Sequence, residues 1–95
     1  MDPNIKVLVV DDFATMRKVV RNMLRQLGVD KVNEAENGEE AFLMVKAGNF
    51  GLIVSDWNMP VMTGLEFLKA VRADESTKSI PFLMATAEAL KENII

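Results

Sequence analysis

Three aspartates in this chain of 95 residues directly follow short apolar runs. Asp11 and Asp12 come after the apolar residues 7–10, and Asp56 comes after residues 52–55. Short apolar runs bounded by turn-forming residues are typical of buried strands. In an open sheet of parallel strands, ligands bind beyond the carboxyl ends of the strands, at the point where the strand order reverses. If these two strands are neighbours, the three carboxylates meet at that edge.

The charge of such a cluster limits its chemistry. Two carboxylates about 4 Å apart repel each other by roughly 4 kcal/mol at an effective dielectric constant near 20, so the cluster requires a cation or a proton. Mg²⁺ takes one or two carboxylates and leaves positions for phosphate oxygens, which suits phosphoryl transfer better than a closed calcium site does. Asp56 would then be the nucleophile that forms an acyl phosphate. Thr86, at the end of the next predicted strand, could donate its hydroxyl to a phosphoryl oxygen.

Each of these residues alone has a simpler interpretation. A single Asp after a strand is typical of a turn or a helix cap. Trp57 and the seven methionines are interpreted as packing residues rather than as cofactor contacts. Only the coincidence of three acids and one Thr at predicted strand ends favours a site.

The composition excludes several other classes of function. The chain has no Cys and no His, which excludes thiolate chemistry, disulfides, imidazole catalysis and the common zinc sites. Its 11 basic and 14 acidic residues give a net charge of -3, so neither nucleic acid nor an anionic membrane is expected as a partner. No apolar run has the length of a membrane span, and the first residues do not have the pattern of a secretory signal. We expect one small, soluble domain in the cytoplasm.

Strand and helix patterns alternate along the chain. Apolar residues at intervals of three and four predict a first helix over residues 16–27, with Arg17 and Arg21 on its polar face and Gly28 as its stop. A second helix passes through residues 41–45, and Thr63 could cap a third over residues 65–71, followed by a loop at 72–79. Strands are predicted at residues 6–10, 29–35, 52–55 and 80–86, and a fourth helix begins at 87–95. This order predicts an α/β fold with a mainly parallel sheet and right-handed crossovers.

Eight segments along the whole chain carry a further resemblance. They are similar to the receiver domains of two-component signalling, and Asp-Trp-Asn-Met-Pro with the Lys-Glu-Asn-Ile-Ile ending is specific to the chemotaxis branch. The resemblance implies a flavodoxin-like, doubly wound parallel sheet with strand order 2-1-3-4-5. The matching segments are Val7-Leu8-Val9-Val10-Asp11-Asp12-Phe13, Thr15-Met16-Arg17, Val20-Arg21-Asn22, Glu34-Ala35-Glu36, Ser55-Asp56-Trp57-Asn58-Met59-Pro60, Gly64-Leu65-Glu66, Thr86-Ala87-Glu88-Ala89 and Lys91-Glu92-Asn93-Ile94-Ile95.

The resemblance also implies a role for each site residue. Asp56 would accept a phosphoryl group from a phosphohistidine on the chemotaxis histidine kinase. Asp11 and Asp56 would bind Mg²⁺ together with the main-chain carbonyl of Asn58, and Asp12 would act through a metal-bound water. Thr86 would be the switch hydroxyl that moves toward the phosphoryl group.

Further implications concern regulation and partners. Asn58, Glu88 and Ala87 would flank the site and tune how quickly the phosphoryl group is lost to water. The domain would catalyse its own phosphotransfer and dephosphorylation, without being an enzyme for a separate substrate. Its partners would include the flagellar motor switch protein and the chemotaxis phosphatase, through which it would control flagellar rotation.

Part of the family's pattern has no counterpart in these 95 residues. The family has a fifth strand with a lysine that pairs with the phosphoryl group, an aromatic switch residue and a final helix. We therefore expect residues 1–95 to be one receiver domain, truncated at the C-terminus and impaired in signalling. An exposed fourth strand and an uncovered sheet face would then favour a homo-oligomer.

Two other classes of function stay open at this point. An aspartate-nucleophile phosphohydrolase of the haloacid dehalogenase type also places a nucleophilic Asp at a strand end. Those enzymes require a second Asp two positions later, where this chain has Asn58. The third possibility is a folding or assembly fragment without signalling activity.

Overall fold

The computed structural model describes Asp2 and residues 4–84. The predicted start of a fourth helix at 87–95, together with Thr86, Ala87 and Glu88, lies outside the described residues. Within them, strands and helices alternate as predicted. The elements are β1 (Val7–Val10), α1 (Ala14–Gln26), β2 (Val32–Ala35), α2 (Gly38–Ala47), β3 (Leu52–Ser55), α3 (Gly64–Ala73) and β4 (Phe82–Met84).

The four strands form one parallel sheet in the order β2-β1-β3-β4. Val10 is aligned with Ala35 on one side and with Ser55 on the other, so the ends of β1, β2 and β3 lie level. Parallel neighbours need crossover connections, and each helix supplies one. The predicted flavodoxin-like, doubly wound sheet is therefore confirmed, with the order 2-1-3-4 among the described strands.

Each face of the sheet carries its own apolar core, which is why the central strands are continuously apolar. The larger core lies between the sheet and helices α2 and α3, and it contains Leu8, Val10, Ala35, Ala41, Val45, Phe50, Ile53, Met59, Phe67 and Val71. The smaller one lies under α1 and contains Val7, Val9, Leu24, Val29 and Val54. Burial of both faces of β1, the central strand, places a polar site at the strand ends.

The second strand is shorter than predicted. Residues 29–35 were expected to be extended, but only Val32–Ala35 pairs with β1. Val29 is fully buried without being part of the strand. Its N–H donates to the Leu24 carbonyl at 2.9 Å and closes the end of α1, and its side chain belongs to the smaller core. Gly28 allows this closure with a φ of 87°, as its predicted role as a helix stop requires.

The third helix extends beyond its predicted end. The loop was expected to begin at Arg72, whereas α3 continues to Ala73. From this last turn, the Arg72 guanidinium donates to the carbonyls of Lys78 and Ile80, both at 2.7 Å. These hydrogen bonds hold the loop against the end of the helix. The polarity of residues 72–79 alone does not reveal them.

The start of α3 is fixed by a reciprocal cap and by a close backbone contact. Thr63 Oγ1 accepts from the Glu66 N–H at 3.2 Å, and Glu66 Oε1 accepts from the Thr63 N–H at 3.1 Å, so the predicted cap is confirmed. Gly64 donates its N–H to the Trp57 carbonyl at 2.9 Å. A Cβ at position 64 would lie 2.2 Å from the main-chain oxygen of Asp56. The helix therefore packs directly on the backbone that carries Asp56.

We expect Gly64→Ala to lower the free energy of unfolding by about 3 kcal/mol, because the added methyl meets backbone that has no room to move. Gly38→Ala is the matched control, since Gly38 also begins a helix but its Cβ would meet the flexible side chain of Met62 at 2.9 Å. Its cost should stay below about 1 kcal/mol. Urea unfolding measures both, and equal costs would contradict the proposed packing of α3 on Asp56.

Candidate metal centre

The sheet itself positions the two aspartates at the ends of β1 and β3. The N–H of Asp11 donates to the Ala35 carbonyl at 3.1 Å, and that of Asp56 donates to the Val10 carbonyl at 2.8 Å. Each strand ladder thus continues one residue past its strand. Because Val10 is aligned with Ser55, the next residues, Asp11 and Asp56, lie side by side.

The predicted meeting of the three acids is confirmed. One carboxylate oxygen from each of Asp11, Asp12 and Asp56 lies within 4.8 Å of the other two. Asp11 and Asp56 are buried, with 6% and 9% of their surfaces exposed, and Asp12 is half-buried. Three like charges in so small and dry a space repel one another unless a cation or a proton is present.

The crowding of the acids has an electrostatic effect on Asp11. The pKa of its carboxyl is raised from 3.8 to about 6, first by burial and then by the neighbouring charges of Asp56 and Asp12. The Phe13 N–H donates to Asp11 Oδ1 at 2.9 Å and lowers the pKa, but it offsets only part of the rise. The site therefore favours any ligand that neutralises negative charge.

The donor set suits a hard divalent cation. Asp12 Oδ1 is a buried oxygen that has no hydrogen-bond partner among the described residues, so it is available to accept a ligand. All three side chains offer carboxylate oxygens, which Mg²⁺ prefers. Asp11, Asp12 and Asp56 therefore fit a magnesium ion.

The loop that follows Asp56 lies at the surface. Trp57 is 48% exposed, so the interpretation of this side chain as a packing residue is wrong. Asn58 is also exposed, and the role of its main-chain carbonyl as a metal ligand stays a prediction. Met59 is buried and anchors the loop. Beyond it, Val61 has a φ of 71°, which costs a β-branched residue about 1–3 kcal/mol.

Sequence reasoning missed one residue beside the cluster. Arg17 was assigned only to the polar face of the first helix, but its Nη1 donates to the Asp11 main-chain carbonyl at 2.7 Å. Its Nε donates to Glu34 Oε1 at 2.9 Å, and Glu34 is 17 positions away in the sequence. No local pattern could have revealed this contact, because it depends on how β2 lies beside β1. The predicted switch and tuning residues Thr86, Glu88 and Ala87 lie outside the part that the structure describes.

Comparison with known proteins agrees with this geometry. Residues 7–95 match the family described as response regulator receiver domain. The chain is 52% identical over all its residues to chemotaxis protein CheY-3 of Vibrio cholerae, and it covers 73% of that protein. It resembles the solved structure of the chemotaxis response regulator CheY4 of V. cholerae with 42% identity and a TM-score of 0.78, covering 93% of this chain and 75% of that one.

A more distant structure is that of the response regulator TrrA from Thermotoga maritima, determined in complex with Mg²⁺-BeF. Its identity to this chain is 27% and its TM-score 0.71, with 95% of this chain and 96% of that one covered.

The parallel sheet, the acidic cluster at its edge and these matches define the class of protein. The chain belongs to the response regulator receiver domain family. Within that family it is similar to the CheY-type chemotaxis response regulators, which is consistent with a place in two-component signalling. Among the described residues, no helix is both long enough and apolar enough to cross a membrane.

The raised pKa of Asp11 gives a pH dependence with a definite sign. A carboxyl whose pKa is raised on folding binds its proton more tightly in the native state, so without Mg²⁺ the free energy of unfolding should fall as the pH rises from 3.8 to about 6. The fall attributable to Asp11 is at most about 3 kcal/mol.

Asp11→Asn should remove this part of the fall and should be more stable than the unchanged chain at pH 7 in EDTA, since Asn can still accept from the Phe13 N–H. Asp74→Asn is the control, because hydrogen bonds from Ser76 and Lys46 lower the pKa of Asp74 to about 2, below this pH window. Thermal unfolding across the window measures the difference. An Asp11→Asn variant with an unchanged pH slope would contradict the electrostatic description of the cluster.

Proposed function

We propose that this chain is a phospho-acceptor receiver of bacterial chemotaxis, in which Asp56 takes a phosphoryl group from a phosphohistidine on a histidine kinase. The observation that carries the proposal is the grouping of Asp56 with Asp11 and Asp12 within 4.8 Å at the end of two neighbouring strands. A carboxylate in a turn or a helix cap needs no such neighbours. A carboxylate that must accept a dianionic phosphoryl group needs a cation beside it, and neighbouring acids can bind that cation.

The proposed transfer is a displacement at phosphorus. An oxygen of the Asp56 carboxylate attacks the phosphorus, the P–N bond to the histidine breaks, and its electron pair stays on the imidazole nitrogen. The product is an acyl phosphate, which water later hydrolyses to restore the carboxylate. Asp11, Asp12 and Asp56 would hold the cation, together with the main-chain carbonyl of Asn58. When bound, Mg²⁺ neutralises the charge on the phosphoryl oxygens.

The charge of the cluster explains why the transfer should require Mg²⁺. Each carboxylate near Asp56 repels an incoming phosphoryl group by an amount of the order of 4 kcal/mol at an effective dielectric constant near 20. Asp11 and Asp12 therefore oppose the reaction until a cation screens them. The complex of the related TrrA with Mg²⁺-BeF supports Mg²⁺ as that cation.

Similarity to the chemotaxis protein CheY-3 supports a proposal for the wider role. We propose that phosphorylation controls flagellar rotation through the motor switch protein, and that a chemotaxis phosphatase removes the phosphoryl group. Thr86 would be the switch hydroxyl, and Glu88 and Ala87 would tune the lifetime of the acyl phosphate together with Asn58. The domain would act in the cytoplasm as a signalling module and would not process a separate substrate.

Acetyl phosphate, a small phosphoryl donor, tests the acceptor role. In the presence of Mg²⁺, intact-mass measurement should show the addition of one phosphoryl group, and EDTA or Asp56→Asn should abolish it. Asp74→Asn, which changes a half-buried acid outside the cluster, should be labelled like the unchanged chain. A folded chain that is not labelled would instead favour an assembly fragment. Multiple turnover of a generic phosphomonoester would favour a phosphohydrolase.

We also propose that the chain associates with a second copy through the sheet face that α1 covers only in part. Val19 and Met23 of α1 and Leu27 directly after it are exposed at intervals of four. Leu83 of β4 is aligned with Val54 of the core under α1, so it lies on the same face, and it is 56% exposed. Among the described residues, β4 pairs only with β3, so its other edge can also pair.

Light scattering coupled to gel filtration should show a dimer or larger assembly at micromolar concentration, and Leu83→Lys should shift it toward the monomer. Leu43→Lys is the matched control, because Leu43 is 66% exposed but lies on α2, across the sheet. A monomer at all concentrations, or equal effects of the two substitutions, would overturn the proposed interface.

A further inference from the structure

We infer that Arg17 is a positioning residue for the acidic cluster: oriented by Glu34, its guanidinium holds the main-chain carbonyl of Asp11. The inference rests on the proposed function, because it assigns Arg17 a role in Mg²⁺ binding. Arg17 belongs to α1, yet only 12% of its side chain is exposed. This burial is unusual for an Arg, which is mostly exposed unless it is paired.

The two contacts of Arg17 point to different elements. Nη1 donates to the Asp11 carbonyl at 2.7 Å, and Nε donates to Glu34 Oε1 on β2 at 2.9 Å. The planar guanidinium makes both contacts with one fixed geometry. The turn that carries Asp11 and Asp12 is thus joined through a single side chain to the edge strand of the sheet.

Glu34 is itself held in place. Its second oxygen, Oε2, lies 3.1 Å from Arg21 Nη2, and the same nitrogen donates to the Val32 carbonyl at 2.8 Å. The chain of contacts therefore ends on the backbone of β2. Arg21 also covers part of the outer edge of that strand, which is open to other chains if left unprotected.

The main chain of Asp11 is consequently held at both its N–H and its carbonyl. Its N–H donates to the Ala35 carbonyl of β2, and its carbonyl accepts from Arg17. Arg17 is in turn oriented by Glu34, the neighbour of Ala35 on the same strand. This leaves the Asp11 and Asp12 carboxylates free of Arg17. A cation site needs its ligands oriented, and Arg17 orients the Asp11 backbone through its main-chain carbonyl instead of through a carboxylate oxygen.

The role of Arg17 is geometric rather than electrostatic. A guanidinium bound to the carboxylates would compete with Mg²⁺, whereas the described contacts of Arg17 are to a main-chain oxygen and to Glu34. Arg17→Lys separates the two roles. Lys keeps the positive charge, but its single ammonium group cannot reproduce the fixed two-way contact of the guanidinium.

The test measures Mg²⁺ affinity by the fluorescence of Trp57, which lies next to Asp56, and by calorimetry. We expect Arg17→Lys to weaken Mg²⁺ binding about 10-fold, as is typical when a residue that orients metal ligands is changed. Glu34→Gln, which removes the orienting carboxylate, should have a similar effect. Because both act through the same contact, the double variant should bind no more weakly than the single ones.

A matched control and a second readout separate positioning from general stability. Asp74→Asn breaks another ion pair between elements, Lys46–Asp74 at 2.9 Å, and should leave Mg²⁺ affinity unchanged. In EDTA, amide exchange at Phe13, whose N–H is bound to Asp11 Oδ1, should be faster in Arg17→Lys. Exchange at Gly64, which is bound to Trp57, should be unchanged. The unfolding midpoints of all variants are recorded in parallel.

The outcomes are distinguishable. If the unchanged chain binds Mg²⁺ and Arg17→Lys and Glu34→Gln bind it equally well, the inference is wrong and the proposed function stands. If affinity falls only in proportion to a lower unfolding midpoint, Arg17 is a structural tie and the inference is again wrong. If the unchanged chain does not bind Mg²⁺, the proposed function is wrong, and the inference that rests on it is wrong as well.

Discussion

The repulsion among three carboxylates at one edge of the sheet is the constraint on which the rest of the site depends. Burial and the charges of its neighbours raise the pKa of Asp11 to about 6, so the cluster is unfavourable without a ligand. The rest of the fold must therefore offset the free-energy cost of the repulsion among the carboxylates. Two apolar cores, one on each side of the sheet, supply that stability. Because a bound cation would remove the repulsion among the carboxylates, that repulsion also contributes to the affinity of the site for the cation.

The backbone around the acids is held by hydrogen bonds and by close packing. Ladder bonds fix Asp11 and Asp56, Gly64 lets α3 approach the Asp56 carbonyl, and Met62 packs against Gly38 at the start of α2. Val61, with its φ of 71°, lies in the loop between Asp56 and α3, and such a backbone strain persists only where the surrounding structure fixes it. The result is a rigid frame around the acids, in which Asp12 Oδ1 is a buried oxygen with no hydrogen-bond partner among the described residues.

Much of this arrangement could be predicted from the sequence, for identifiable reasons. Apolar runs that stop at Asp11 and Asp56 indicate strand ends, and parallel strands bring such ends together. The strand order came from the resemblance to receiver domains, since periodicity alone does not order strands. Val29 was misassigned to a strand because an apolar residue that closes a helix resembles the first residue of a strand. Trp57 was misassigned because size and apolarity do not reveal exposure. The Arg17–Glu34 contact joins residues 17 positions apart and follows only from the folded sheet.

The central claim is that Asp11, Asp12 and Asp56 form one cation site. The most direct measurement is paramagnetic line broadening by substoichiometric Mn²⁺ in the amide NMR spectrum, with Mg²⁺ as the competitor. The claim requires broadening centred on the amides of Asp11, Asp12, Asp56 and Trp57 and reversed by Mg²⁺. Broadening spread over other acidic surface, such as Glu39, Glu40 and Glu75, or unaffected by Mg²⁺, would contradict it.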